Sequence, residues 1–337
     1  MKSPVLAVCT GDPAGVGPEV ALKALARHPD LREICTPVLI GSRQVLQSTL
    51  ANLKIDAVLQ PIADFSGISW PAKKILCFDT CVPLELPEYG QLSAKCGLAA
   101  FSSVEKSVSL ALEGSVSGIV TAPINKEALR LACLPYIDHT QMLQKLTGRA
   151  APLTLFVTES LRVFFYGKHI PFRDVAASLD VDRIVICLKS CQRALAALGY
   201  PRQRLALAAL NPHGSDHGMF GDEEEKLLMP AVKRAMKEGV DVRGPVPADS
   251  VFHLAKEGAY DAVLALYHDQ GHIAAKTLNF HKTVSLSLGL PFLRTSVDHG
   301  TAMDIAGQGV ADETSMVEAI KVCARHAADY ASYMRKL

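Results

Sequence analysis

Residues 267–276 read Tyr267-His268-Asp269-Gln270-Gly271-His272-Ile273-Ala274-Ala275-Lys276, directly after the apolar run Ala262-Val263-Leu264-Ala265-Leu266. The run has the length and flanks of a strand buried on both faces. The polar decapeptide behind it packs two imidazoles, a carboxylate, an amide and an amine around one glycine. In an open α/β sheet, ligands bind at the carboxyl ends of the strands. A dense polar cluster at such an end therefore predicts a site, with a solvated turn as the plain alternative.

Two further histidines share this placement. His169 follows the apolar stretch Val163–Tyr166, itself preceded by a strand reading over Leu153–Val157, and His213 follows Leu205–Leu210. If the three strands are neighbours in one sheet, His169, His213 and His268 converge at its mouth. Imidazole is a common ligand of divalent first-row metals, and three protein ligands with open positions describe a catalytic metal site. Three unrelated polar loop residues would give the same pattern. Asp249 and Asp269 are the expected auxiliary carboxylates, because ligating histidines donate their second N–H to an oxygen.

Working outward, Val5–Cys9 reads as a first buried strand and leads into Thr10-Gly11-Asp12-Pro13-Ala14-Gly15-Val16-Gly17-Pro18-Glu19. Pro18 and Glu19 suit the first turn of a helix continuing through Val20, Leu22 and Leu25. The loop matches neither standard nucleotide-binding glycine pattern, so tight turn and binding loop remain equally open. Val38–Ser42 predicts a second strand with a helix after it, Gly118–Leu129 a further strand, loop and helix, and Asn125 that helix's N-cap. Residues 98–112 and 184–198 have helical period, whereas 50–88 gives only short apolar pieces between prolines. Asp138-His139-Thr140 opens another helix, where free amides, a hydroxyl and a protonated imidazole would suit an anion; His139 as a capping residue is the alternative. Ser215–Glu225 is glycine-rich and acidic and predicts a mobile loop.

The chain has 337 residues, which predicts two domains or one large α/β unit. A 49% hydrophobic and 20% charged composition supplies a core and argues against disorder. With Lys+Arg 35 against Asp+Glu 34, no basic field suggests nucleic acid or an anionic membrane as a partner. No stretch approaches the ~20 apolar residues of a spanning helix, and the start does not resemble a secretory signal. Nine scattered cysteines without a C-x-x-C pair fit reduced thiols, so the expected location is cytoplasmic.

The run from Arg294 to Asp312 is long and punctuated by glycine. It resembles the cofactor loop of decarboxylating β-hydroxyacid dehydrogenases of the isopropylmalate type. That resemblance implies NAD or NADP held by His299, Gly300, Thr301, Ala302, Asp304, Ile305 and Gly307. Taken with GDPAGVGPE from Gly11, TAPINKEAL from Thr121, NPH from Asn211, GPVPAD from Gly244, YHDQG from Tyr267 and LGLPFLRTSVDHGTAMDIAG from Leu288, the chain resembles the 4-hydroxythreonine-4-phosphate dehydrogenase family nearly end to end.

The family implies an α/β, two-domain isopropylmalate dehydrogenase-like fold with a mixed sheet. It places the active site in the interdomain cleft, shared across a homodimer. Domains of 1–134 plus 295–337 (cofactor side) and 135–294 (metal and substrate side) are expected. The family's metal ligands fall on His169, His213 and His268, with zinc, magnesium or cobalt as the ion. Its substrate contacts fall on His139, Thr140, Lys276 and Arg294, and Ser285 stands where it carries an asparagine. Lys276 and Asp249 are the candidates for proton transfer. The implied reaction oxidises 4-(phosphooxy)-L-threonine to a 3-oxo acid, which decarboxylates to 3-amino-2-oxopropyl phosphate on the way to pyridoxal phosphate. Ser285 opens the alternative of 4-phospho-D-threonate or 4-phospho-D-erythronate; a metal-dependent hydrolase or binding protein on this fold ranks lower.

Overall fold

The computed structural model describes residues 3–82 and 86–336, and the chain folds into two compact units. One holds the described residues up to Pro152 together with those from Gly289 onward; the other is Leu153–Leu288. In chain order the first contains β1 (Val5–Cys9), α1 (Gly17–Arg27), β2 (Thr36–Gly41), α2 (Arg43–Leu53), β3 (Val58–Pro61), β4 (Lys74–Asp79), α3 (Ala94–Leu112), β5 (Gly118–Thr121), α4 (Lys126–Leu131) and α5 (His139–Thr147). The second contains β6 (Leu153–Thr158), β7 (Leu161–Phe165), α6 (Val181–Ala197), β8 (Leu205–Ala208), α7 (Met229–Lys237), β9 (Val242–Val246), α8 (Ala248–Lys256), β10 (Ala262–Ala265), α9 (His268–Leu278) and β11 (Val284–Leu288). The chain then returns to the first unit with β12 (Leu293–Ser296) and α10 (Thr314–Met334).

The strands of the first unit run in the order β3-β4-β2-β1-β5-β12, and each pair is parallel. Helices on both faces of a parallel sheet leave its strands no polar side, which is why Leu6-Ala7-Val8-Cys9 and Val38-Leu39-Ile40 are apolar and fully buried. Asn125 caps α4 as its position predicts, accepting from the backbone N–H groups of Glu127 and Ala128 at 2.8 and 3.2 Å.

The unit boundaries differ from those expected at 134/135 and 294/295. Met142 and Leu143 of α5 are buried with Cys9, Ile119, Leu129, Leu290 and Phe292, so residues 135–152 pack in the first unit. Arg294 sits in β12, in register with Ile119 of β5, which places 289–294 there too. The expected first domain also includes Met1, Lys2, Pro83, Leu84, Glu85 and Leu337, which lie outside the described residues.

In the second unit the order is β11-β6-β7-β10-β8-β9. β11, β6 and β7 pair antiparallel, while β7, β10, β8 and β9 are parallel, so the sheet is mixed. Val163, Phe165, Ala206, Val263 and Ala275 form its core with Phe156 and Val251. Among the described residues no helix is long and apolar enough to cross a membrane, and the nine cysteines are free thiols.

Candidate active site

The second unit carries the histidine-bearing segments. Because β7, β10 and β8 are neighbouring parallel strands, the chain leaves all three at the same edge of the sheet. α9 begins at His268, three residues after β10 ends, and its start is fixed by Gln270. That amide accepts from the Leu266 N–H at 2.7 Å and donates to the Ala209 carbonyl at 2.7 Å, tying the end of β10 to the end of β8. Gly271 lets the helix lie on β7: a Cβ there would come within 2.5 Å of the Phe165 ring. The Tyr166 and Gly167 N–H groups bond to the Ala265 and Leu266 carbonyls, which carries the chain toward His169 alongside.

The His169 and His268 rings end 6.1 Å apart, centre to centre. Asp269 takes the Nδ1 of His268 at 2.6 Å, leaving Nε2 for another partner. His272, one turn on, stacks on His268 at 3.8 Å with its ring nearly parallel, and its other sides meet Phe156 and Phe165. Burial, then the charges of His268 and Lys276, push His272 down to about 4, so it is a neutral ring at physiological pH. Lys276, a further turn along the same side of α9, is half-buried, with its ammonium 5.2 Å from the centre of the Phe280 ring.

His213 lies in a turn of left-handed residues after β8, with φ of 53° followed by Gly214 at 70°. Its Nδ1 faces Asp216 at 3.1 Å. The turn is anchored by Glu224, which is 2% exposed and accepts from the Leu210 and Asn211 N–H groups at 2.8 Å. The acidic stretch expected to form a mobile loop is thus fastened at its end by these bonds. Asp249 is exposed in the first turn of α8, while Ser285 sits half-buried in β11 opposite Phe156.

The donor chemistry suits a divalent ion: two imidazoles have Nδ1 on a carboxylate, the arrangement by which proteins orient histidine ligands. His169 and His268 are close enough to share one. Among the described residues no group of three or more His, Cys, Asp or Glu side chains is set to hold a metal.

The first unit carries the other candidates. Arg294 is 5% exposed; its Nε and Nη2 donate to Thr121 Oγ1 at 3.0 and 2.6 Å, and burial lowers its pKa to about 10, so it remains a cation at neutral pH. His139 is the first residue of α5, whose N-cap Asp138 accepts from the Gln141 N–H at 2.8 Å. Burial and the neighbouring Arg294 charge hold His139 well below its usual pKa. The protonated imidazole expected at this helix start is therefore corrected to a neutral one, and its Nε2 is buried without a partner among the described residues. Thr140 follows, half-buried.

The loop after β12 is braced by the loop after β1. Val16 donates its N–H to the Thr301 carbonyl at 3.0 Å, and Gly15 touches the Thr301 side chain closely. Asn52 donates to the Gly307 carbonyl at 2.9 Å, and the Tyr89 ring covers Gly307. Buried Lys23 donates to the Gly309 and Ala311 carbonyls, each at 2.8 Å, and pairs with Glu19 at 2.6 Å. His299 turns Nδ1 to the Gly300 carbonyl at 2.9 Å and keeps a buried Nε2 with no partner among the described residues. Ala302 holds the left-handed φ of 42°, Ile305 donates back to the Ala302 carbonyl, and the Asp304 carbonyl accepts from Gln308.

A family model described as "Pyridoxal phosphate biosynthetic protein PdxA" matches residues 33–323. The chain belongs to the PdxA family. A relative from Symbiobacterium thermophilum, named provisionally as a D-threonate 4-phosphate dehydrogenase, is 46% identical over 97% of this chain and 98% of its own. The crystal structure of 4-hydroxythreonine-4-phosphate dehydrogenase from Klebsiella pneumoniae superposes with a TM-score of 0.89 at 41% identity, covering 97% of this chain and 99% of that one. A terephthalate 1,2-cis-dihydrodiol dehydrogenase from Burkholderia xenovorans gives 0.65 at 26% identity, covering 96% and 98%. This PdxA-family chain has the α/β fold of those structures and is a dehydrogenase acting on a CH–OH group. The hydrolase alternative thereby loses its support.

Within this PdxA-family chain, motif reading passed over two groups that the geometry supplies, Asp216 and Thr121, and left His272 as one of the two imidazoles of residues 267–276 without pairing it to His268. That pairing could have been found from their spacing of four, which puts both on one side of a helix. Asp216 and Thr121 could not, since each is recruited by a turn or a strand register rather than a pattern.

Proposed function

We propose that the chain oxidises a 4-phosphorylated four-carbon hydroxy acid, 4-phospho-D-threonate before 4-(phosphooxy)-L-threonine, with a nicotinamide dinucleotide and a divalent ion. The observation that carries this order is Ser285 in β11, where the resemblance to the 4-hydroxythreonine-4-phosphate dehydrogenase family implies an asparagine. A serine presents a single hydroxyl where an amide presents both a donor and an acceptor, so recognition of the substituent at carbon 2 must differ. The name of the 46% identical relative supports the same order. The family expectation of 4-(phosphooxy)-L-threonine is the second reading, favoured by the name of the solved structure at 41% identity.

In this reading Arg294 and neutral His139, with the Thr140 hydroxyl, bind the phosphate as cation and hydrogen-bond donors. Lys276 and Ser285 contact the hydroxy-acid end. His169, His213 and His268 would hold the ion, which when bound supplies Lewis-acid polarisation of the reacting hydroxyl and carboxylate end. The hydrogen on carbon 3 leaves as hydride to the nicotinamide, and the hydroxyl proton passes to a base, Lys276 or Asp249. The resulting β-keto acid loses carbon dioxide. Residues His299 to Gly307 would hold the dinucleotide, and a homodimer is part of the proposal.

The test is the kcat/KM ratio for the two substrates, read from reduced-nicotinamide absorbance with NAD or NADP and added divalent metal. A ratio of at least tenfold in favour of 4-phospho-D-threonate is expected, and the reverse ratio would restore the amino substrate. Arg294→Lys should raise KM for either phosphorylated substrate about 10–100-fold, the size of one or two charge-assisted bonds, while changing kcat less. An unchanged KM would remove Arg294 from phosphate binding.

A further inference from the structure

Asp12 is a carboxylate in an unusual position. It is 1% exposed, it follows the carboxyl end of β1, and it forms no ion pair among the described residues. Its Oδ1 accepts from the Ala14 N–H at 2.9 Å, but Oδ2 is buried and takes no donor among the described residues. The backbone around it is fixed on two sides. The Asp12 N–H donates to the Pro123 carbonyl at 3.0 Å, and Gly11 is held so close to that carbonyl that a Cβ would come within 2.2 Å of it. Four residues on, Val16 bonds to Thr301.

Buried Glu19 offers a contrast. Its Oε2 also lacks a partner among the described residues, but Oε1 takes both the Lys23 ammonium and the Ala311 N–H, so its charge is compensated. Asp12 has no such cation among the described residues. Desolvation raises its pKa, so the folded protein carries this group at a penalty whenever it is ionised. Buried acceptors are almost always satisfied, and one left open calls for a partner that arrives later.

Resting on the reading of His299 to Gly307 as the dinucleotide loop, we propose that Asp12 is a further cofactor-binding residue, its Oδ2 accepting a hydrogen bond from a ribose hydroxyl or the carboxamide N–H of the nicotinamide half. Asp12→Asn keeps the shape and the acceptor for Ala14 but turns the open oxygen into a donor. The measurement is the Kd of NADH and NADPH by fluorescence, together with the Tm of the ligand-free protein, for wild type and Asp12→Asn.

A Kd raised at least tenfold, with a Tm equal to or above wild type, is the expected result. It separates ligand binding from a structural role, because the variant removes a desolvation penalty in the free fold. Equal Kd values, or weaker binding accompanied by a fall in Tm, overturn the assignment of Asp12. If wild type binds neither dinucleotide with divalent metal present, the loop reading itself fails and takes this inference with it. The 3-acetylpyridine analogue, which lacks the carboxamide N–H, assigns the bond: if it loses affinity in wild type but not in Asp12→Asn, the carboxamide is the donor, and equal loss in both assigns the ribose.

Discussion

His268→Ala is expected to lower kcat about 10³-fold and to lose bound metal, with little change in Tm. The size reflects the contribution of an ion: several kcal/mol of transition-state stabilisation, at a factor of ten per 1.36 kcal/mol. The small change in Tm reflects the surroundings. His268 is half-buried, and its side chain is engaged by the exposed Asp269 and the His272 ring, so truncation opens no large cavity. His169→Ala should behave alike, since the two rings lie 6.1 Å apart. His213→Ala is the sharper experiment. Its imidazole sits in a turn after β8, held to Asp216. Metal lost on that substitution would show that the third ligand is brought in when the assembly forms or the turn moves. Metal kept would leave a site of two histidines. Measuring metal content and kcat of the same preparations decides each case, and full activity after exhaustive chelation would end the metal reading altogether.

The sequence showed most where burial is complete and least where it is partial. β1, β2, β5, β8 and β10 were legible because a parallel strand covered on both faces needs an unbroken apolar run. Residues 50–88 gave little, yet they contain β3 and β4. β3 is at an end of the first unit's strand order, and its burial alternates from exposed Val58 to buried Leu59, so its run is short and broken by Pro61. Helix starts were legible where a side chain caps them, as at Asn125 and Asp138. α9 was not, because it starts at His268 without a side-chain cap and is fixed instead by Gln270 reaching β8. The site divides the same way. Histidines after strands could be counted along the chain, and the stacking of His272 on His268 follows from a spacing of four once a helix is assigned there, whereas Asp216 and Thr121 depend on a turn and a strand register. The protonation state of His139 was also out of reach of the sequence, since it is set by burial next to Arg294, a neighbour 155 positions away in the chain.

Lys23→Met should destabilise the first unit by about 3–5 kcal/mol, the usual cost of leaving a buried charge without its partner. Thermal unfolding would register this as a fall in Tm of roughly 10 °C. Both side chains of the pair are 3% exposed, and the Lys23 ammonium spends its three protons on Glu19, the Gly309 carbonyl and the Ala311 carbonyl. Removing it strands the Glu19 carboxylate, which then keeps only the Ala311 N–H, and frees two loop carbonyls. Surface ion pairs such as Arg27 with Glu313 should matter far less, because solvent screens them. Adding Glu19→Gln to Lys23→Met removes the stranded charge and should recover more than half of the lost stability, since a buried pair replaced as a unit is often close to neutral. If the recovered double variant still binds NADH more weakly than wild type, the Lys23 bonds to Gly309 and Ala311 position the loop proposed to hold the dinucleotide as well as supporting the fold. A single variant as stable as wild type would show that Glu19 takes a proton or water in place of lysine, and that the clamp contributes nothing to stability.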